Sequence, residues 1–139
     1  MRILICGSRD FEFKELIELD LKLRPDLPTI IEGDAPGADT YARIVAEMCG
    51  YPVEKYPADW EQYGRKAGPI RNQQMLDEGK PDIVWAYFSD VEKSKGTRDM
   101  VTRALKAKLP VYAVEARSLG EAALRKTLGL PEKTIAPDN

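Results

Sequence analysis

Short apolar runs alternate with stretches whose apolar residues recur at helical spacing. RILIC (2–6) and PTIIE (28–32) have the compact apolar character of buried strands. Between them, Phe13, Leu16, Ile17 and Leu21 fall on one side of a helix over 13–23. Ala38, Tyr41, Ala42, Val45 and Cys49 share one helical face and predict a helix from about Ala38. VEKYP (53–57) predicts a third strand, more polar and so nearer a sheet edge. Residues 58–79 predict an irregular stretch passing into a helix, with Pro69 suited to its first turn. DIVWAYF (82–88) is apolar on both faces, as a central parallel strand is. A helix from Thr97 sets Met100, Val101, Ala104 and Leu105 on one face, and LPVYAVEA (109–116) predicts the last strand. SLGEAALRKTLGL (118–130) predicts a final helix begun by Ser118.

Strands and helices in strict alternation, with short connections, predict an α/β fold: a single Rossmann-like three-layer domain with a mainly parallel sheet of about five strands. The domain is expected over 1–130, with 131–139 as a loosely held C-terminal tail. In the usual order of such sheets the first and fourth strands are neighbours, and ligands bind beyond the carboxyl ends of the strands beside them.

Composition narrows the chemistry. The chain has 139 residues, a net charge of −2 and only two cysteines, Cys6 and Cys49. That excludes a disulfide framework and a broad polyanion-binding face, and fits a cytoplasmic protein. Histidine is absent, which excludes His-based triads, His-ligated zinc and His general acid–base catalysis. No apolar run is long enough to span a membrane.

Four loops follow the predicted strands, and each carries turn-forming or hydrogen-bonding residues. The first offers Gly7 for close approach, Ser8 as a hydroxyl and Arg9 as a fork for phosphate, or else is an ordinary turn with Arg9 in water. The second has Gly33 and Gly37 together with Glu32, Asp34 and Asp39, three acids where a phosphate cradle would carry none. Asp39 suits a helix N-cap or first turn. In the third, Trp60 and Tyr63 supply flat faces for a base, with Trp60 equally suited to the core, and Arg71 and Asn72 stand where loop meets helix. The fourth sets Lys95, Gly96, Thr97 and Arg98 at a helix start, with Thr97 as its cap and backbone amides turned to an anion. Phosphate beside Arg9 and Lys95 would leave the acidic elbow to accept hydrogen bonds from ribose hydroxyls.

GSRDF, EGDAPGAD, YPADW…YGRKAGPIRNQQM and SKGTRDM, in this order, resemble the SLOG superfamily, in its YspA/YpsA-related branch, over about residues 1–115. The resemblance implies a Rossmann-like pocket for nucleotides or nucleotide-derived ligands. It points to Gly7, Ser8, Arg9, Gly33, Ala35, Gly37, Ala38, Asp39, Arg71, Asn72, Gly96 and Thr97 as pocket residues. The superfamily includes the Lonely-guy phosphoribohydrolases and the DNA-processing protein A group, which binds single-stranded DNA. Two positions depart from relatives. Asp34 stands at the second glycine of the usual Gly-Gly-Ala turn. Met100 stands where the Lonely-guy pattern has a catalytic Glu, with Asp99 one residue earlier and turned by about 100° on a helix.

The expected function is binding of a nucleotide-derived small molecule as a sensor or sequestering module. The alternative is an N-glycosidic-bond hydrolase or transferase, with Arg71 orienting the ligand and Asp39 or Asp99 as the catalytic carboxylate. Single-stranded DNA binding ranks third, so nucleic acid is the partner least expected. Relatives of the superfamily commonly self-associate, which implies a homo-oligomer. No cofactor is indicated, and no residue spacing demands a metal.

Overall fold

The computed structural model is described over residues 1–116. The predicted helix over 118–130 and the tail from 131 lie outside the described residues. Five strands, β1 (Arg2–Gly7), β2 (Thr29–Glu32), β3 (Val53–Lys55), β4 (Ile83–Phe88) and β5 (Val111–Glu115), form one sheet in the order β3-β2-β1-β4-β5. Every pairing is parallel, so the sheet is wholly rather than mainly parallel. The helices are α1 (Lys14–Lys22), α2 (Ala38–Cys49), the four-residue α3 (Trp60–Tyr63), α4 (Ala67–Asp77) and α5 (Lys95–Lys106).

Strand periodicity divides the core in two. Ile3, Ile5, Ile30, Trp85, Tyr87 and Val114 point to one face and pack against Leu16, Ile17 and Leu21 of α1 and Ala42, Val45 and Ala46 of α2. Leu4, Cys6, Ile31, Val84, Ala86, Phe88 and Ala113 point to the other, against Met75 of α4 and Met100, Val101 and Ala104 of α5. Helices on both faces of a parallel sheet give the expected three layers. The polar β3 strand, at the sheet's edge, ends at Lys55 instead of residue 57, and β5 spans Val111–Glu115 instead of 109–116. The stretch from 58, expected to be irregular before passing into a helix, is almost continuously helical from Trp60, because a 3-10 turn over Gly64–Lys66 joins α3 to α4. Helix α5 begins at Lys95, two residues before the predicted start.

The sheet order decides where a ligand can bind. β1 pairs with β2 on one side and β4 on the other, so the connections diverge to opposite faces at its carboxyl end. There the backbone of Gly7 lies against both β4 and α2. A Cβ on Gly7 would stand 2.5 Å from that of Ala38 and closer still to the Tyr87 carbonyl oxygen. The absent side chain lets α2 start directly over the strand end.

Gly7→Ala should therefore cost about 1–3 kcal/mol of stability by overpacking, read from the midpoint of urea unfolding. Wild-type stability in that variant would mean the α2 start gives way freely.

Candidate functional site

The loop from β2 into α2 is held by its own carboxylates. Asp39, in the first turn of α2, does not cap that helix. It turns back, so that Gly33 N–H and Ala35 N–H both donate to its Oδ2, each at 3.2 Å. Asp34 N–H donates to Glu32 Oε2 at 2.5 Å, with Asp34 in the left-handed region at φ 57°. Arg71 reaches across from α4 and donates through Nη1 to the Gly33 carbonyl, and through Nε to Asn72 Oδ1 at 3.0 Å. The amides of Gly33, Asp34 and Ala35 and the Gly33 carbonyl are thus engaged by protein groups. A side chain on Gly33 would meet the Arg71 guanidinium and Asp39. Gly37, at φ 80°, lies so near the Ser8 and Arg9 carbonyls that a Cβ would strike them.

Burial pushes the Asp39 carboxyl up to about 6, against the opposing pull of Arg71 and the two amides. Glu32 is fully buried and its Oε1 has no hydrogen-bond partner. Burial raises it to about 7, with Asp39 and Asp34 adding to the rise and the Asp34 amide and Arg43 opposing it. A neutral carboxylic acid is the form this buried position favours.

The opposite wall is organised by hydroxyl groups. Ser8 Oγ lies 2.6 Å from Ser94 Oγ, and Ser94 Oγ donates to the Asp90 carbonyl at 2.7 Å. With that proton engaged, the Ser8 hydroxyl is the donor between the two serines. Ser8 Oγ also accepts from Ser89 N–H at 3.0 Å, so the loops after β1 and β4 are tied together. The first helical amide bond of α5 runs from Arg98 N–H to the Ser94 carbonyl. The amides of Lys95, Gly96 and Thr97 precede that ladder, and no side chain caps them at Ser94. Thr97, expected as the cap, sits within the first turn because the helix starts earlier.

Between these walls lies a cleft of about 650 Å³. Its lining includes Gly7, Ser8, Arg9, Ala35, Asp39, Trp60, Arg71, Asn72, Lys95, Gly96, Thr97 and Asp99. Four predicted positions, Gly33, Asp34, Gly37 and Ala38, are not among its lining residues; the two glycines shape the elbow and Ala38 is core. Trp60 is 49% exposed, with the Arg9 guanidinium 5.6 Å from its ring centre. Asn72 donates to Asp99 Oδ2 at 2.9 Å and to the Gly96 carbonyl at 3.2 Å, while Arg103 donates to the same Asp99 oxygen at 2.8 Å. Asp99 is therefore already paired, and it joins α4 to α5.

Cys6, Asp10, Arg65, Gly68, Pro69, Met75, Lys93, Ser94 and Met100 also line the cleft but were not predicted to. The thiol of Cys6 is pushed far up by burial, with Asp39 adding to it, and stays protonated. Lys93 and Ser94 could have been found from the lysine-rich run before Gly96. Cys6 and Met75 could not, since apolar periodicity assigns both to the core. Among the described residues no three Cys, Asp or Glu side chains gather to hold a metal ion, and no helix is long and apolar enough to cross a membrane.

A family model described as the YspA, cpYpsA-related SLOG family matches residues 1–63. That stretch includes GSRDF and EGDAPGAD but ends before AGPIRN and SKGT. Over 119 residues the chain is 34% identical to the Gene 61 protein of Mycobacterium phage D29, covering 79% of this chain and 93% of that protein. The fold is similar to that of DNA processing protein A (DprA) from Streptococcus pneumoniae, with a TM-score of 0.67 and 17% identity over 96% of this chain. This chain spans 58% of that protein's length, and at such identity the likeness is one of fold.

The buried carboxyls set a pH dependence. Glu32 and Asp39 hold protons in the folded chain at pH values where the unfolded chain has lost them. Their stabilisation is full below about pH 4 and is lost as pH rises through 6 to 7. Glu32→Gln should leave stability at pH 4 nearly unchanged and raise it at pH 8 by on the order of 3 kcal/mol, measured by urea unfolding at both pH values. Equal destabilisation at the two would show that the Glu32 proton is not what matters there.

Proposed function

We propose that this chain, which belongs to the YspA, cpYpsA-related SLOG family, binds a nucleotide or nucleotide-derived small molecule in its cleft, as a sensor or sequestering module. The observation that carries this reading is the uncapped start of α5. Three leading amides, with Lys93 and Lys95 beside them, border the same cleft as the exposed ring of Trp60. Leading helix amides and ammonium groups suit a phosphate, and an exposed indole suits the face of a base. Asp39 lines the cleft with its Oδ2 engaged by the loop, and its other carboxylate oxygen suits a ribose hydroxyl.

Binding without chemistry is favoured because both candidate catalytic carboxylates already have protein partners. Asp99 is paired with Asn72 and Arg103, and Asp39 accepts two loop amides. Met100, at the position of the Lonely-guy Glu, is almost fully buried. One observation favours N-glycosidic hydrolysis instead: an acid raised to about 6 shares the cleft with Asp99, as a proton donor beside a carboxylate would. The expectation that nucleic acid is the least suited partner has lost support, since the fold neighbour is named for DNA processing.

Thermal unfolding with inorganic phosphate, adenosine, AMP and single-stranded oligothymidylate tests the reading. AMP at a hundred times its dissociation constant should stabilise by about 2.7 kcal/mol, adenosine and phosphate by less. Trp60→Ala should weaken AMP while leaving phosphate unchanged. No stabilisation by AMP or other nucleoside monophosphates would overturn the proposal, and free base appearing in the mixture would make the chain a hydrolase. A response to oligothymidylate alone, falling steeply with salt, would identify a nucleic-acid partner.

A further inference from the structure

The Glu32 side chain at the end of β2 is wholly enclosed, and its Oε1 has no hydrogen-bond partner. No ion pair reaches it among the described residues. Two of the charged groups that act on it are acids, Asp34 in the elbow and Asp39 in the first turn of α2. The cation acting on it is Arg43 of α2, which is already paired with Glu47 at 3.5 Å. Lys55, its register partner on β3, is exposed. At this end of the sheet β1 brings the Cys6 thiol, which burial keeps protonated. A neutral Glu32 can stay where it is. An ionised one is a buried charge with no counter-ion beside it, and it must regain water.

What holds the elbow is a pair of buried carboxyls. Three successive amides are shared between them: Asp34 N–H donates to Glu32 Oε2, and the flanking Gly33 and Ala35 N–H groups donate to Asp39 Oδ2. Asp34 sits at φ 57°, a left-handed conformation that a residue other than glycine keeps only where its surroundings impose it. Arg71 holds the Gly33 carbonyl from α4, and the Thr40 hydroxyl donates to the Ala35 carbonyl at 2.9 Å. Asp34 is itself exposed, and its amide is the bond on Glu32. Displacing this one strained residue brings water to the carboxyl. Ala35 and Asp39 from the same stretch, with Arg71, line the cleft.

We propose that the elbow Gly33–Ala35 is a proton-operated switch in the wall of the cleft, closed while Glu32 is neutral and opened when Glu32 ionises. Opening withdraws the Gly33 carbonyl from Arg71 and the two flanking amides from Asp39. The device is independent of which ligand the cleft takes. Glu32, pushed up to about 7, and Asp39, pushed up to about 6, put the change near neutrality. Both groups bind protons more tightly in the closed elbow than in water. The closed form is therefore favoured on the acid side, and the advantage is lost as pH rises through those values.

Amide hydrogen exchange of the whole chain, followed by NMR at about pH 6 and about pH 8 and corrected for the intrinsic pH dependence, tests the switch. Protection of Gly33, Asp34 and Ala35 should fall at least about tenfold between the two pH values, as release of a carboxyl raised by two to three pKa units requires. At the higher pH it should lie below the protection of Ile5 in β1, which marks a local opening. In Glu32→Gln, where Asp39 alone still titrates, the fall should shrink to about twofold. Elbow protection that does not change with pH in the unmodified chain would overturn the proposal, whether or not the variant folds. So would an equal fall in Glu32→Gln, or elbow and Ile5 amides equally protected at the higher pH, since the elbow would then open only with the whole fold.

Discussion

A carboxylate turned back upon its own loop is the contact from which the site takes its form. Asp39 accepts the amides of Gly33 and Ala35, and Arg71 holds the carbonyl of Gly33 from the other side. The end of β2, the start of α2 and the middle of α4 are fixed to one another through that single residue pair. Because the contact is buried, the carboxylate needs the arginine and the amides to remain charged at all. In a phosphate-binding turn the same amides would be left for the ligand. Here the protein supplies its own anion.

That side is organised by the serine pair. Ser8, Ser94 and the Asp90 carbonyl form a chain of hydrogen bonds joining the loops that leave two adjacent strands. The α5 start is thereby fixed against the floor of the cleft, with Lys93 and Lys95 on either side of Ser94. Asn72 and Asp99 complete the frame from α4. The result is a cleft lined by Asp39 and Arg71 from one wall and by Lys93, Lys95 and Asp99 from the other, with Trp60 exposed beside it.

Much of the fold was legible because burial writes a period into a sequence. Strands apolar on both faces and helices apolar on one leave signals that nothing else in the chain imitates, so five strands and their parallel order followed. The edges were less legible: β3 is short and polar, and the helical run after residue 58 has charged and aromatic residues where apolar ones would mark a face. The start of α5 was misplaced because Thr97 is a good cap by type, whereas the backbone turns into the helix at Ser94. Of the candidate site residues, those brought to the cleft came from four loops whose convergence follows from the strand order alone.

The residue types fixed the chemistry available: no histidine, two cysteines, glycines at two turns, and acids and arginines in separate loops. Sequence also determined the fold class, through periodicity. Which groups remain free for a ligand was decided only in three dimensions. Asp39 and Arg71 are 32 positions apart, and only folding brings them to the same glycine; Asp99 is paired because α4 lies beside α5. A side chain's partners depend on neighbours distant in sequence, and no local spacing records them.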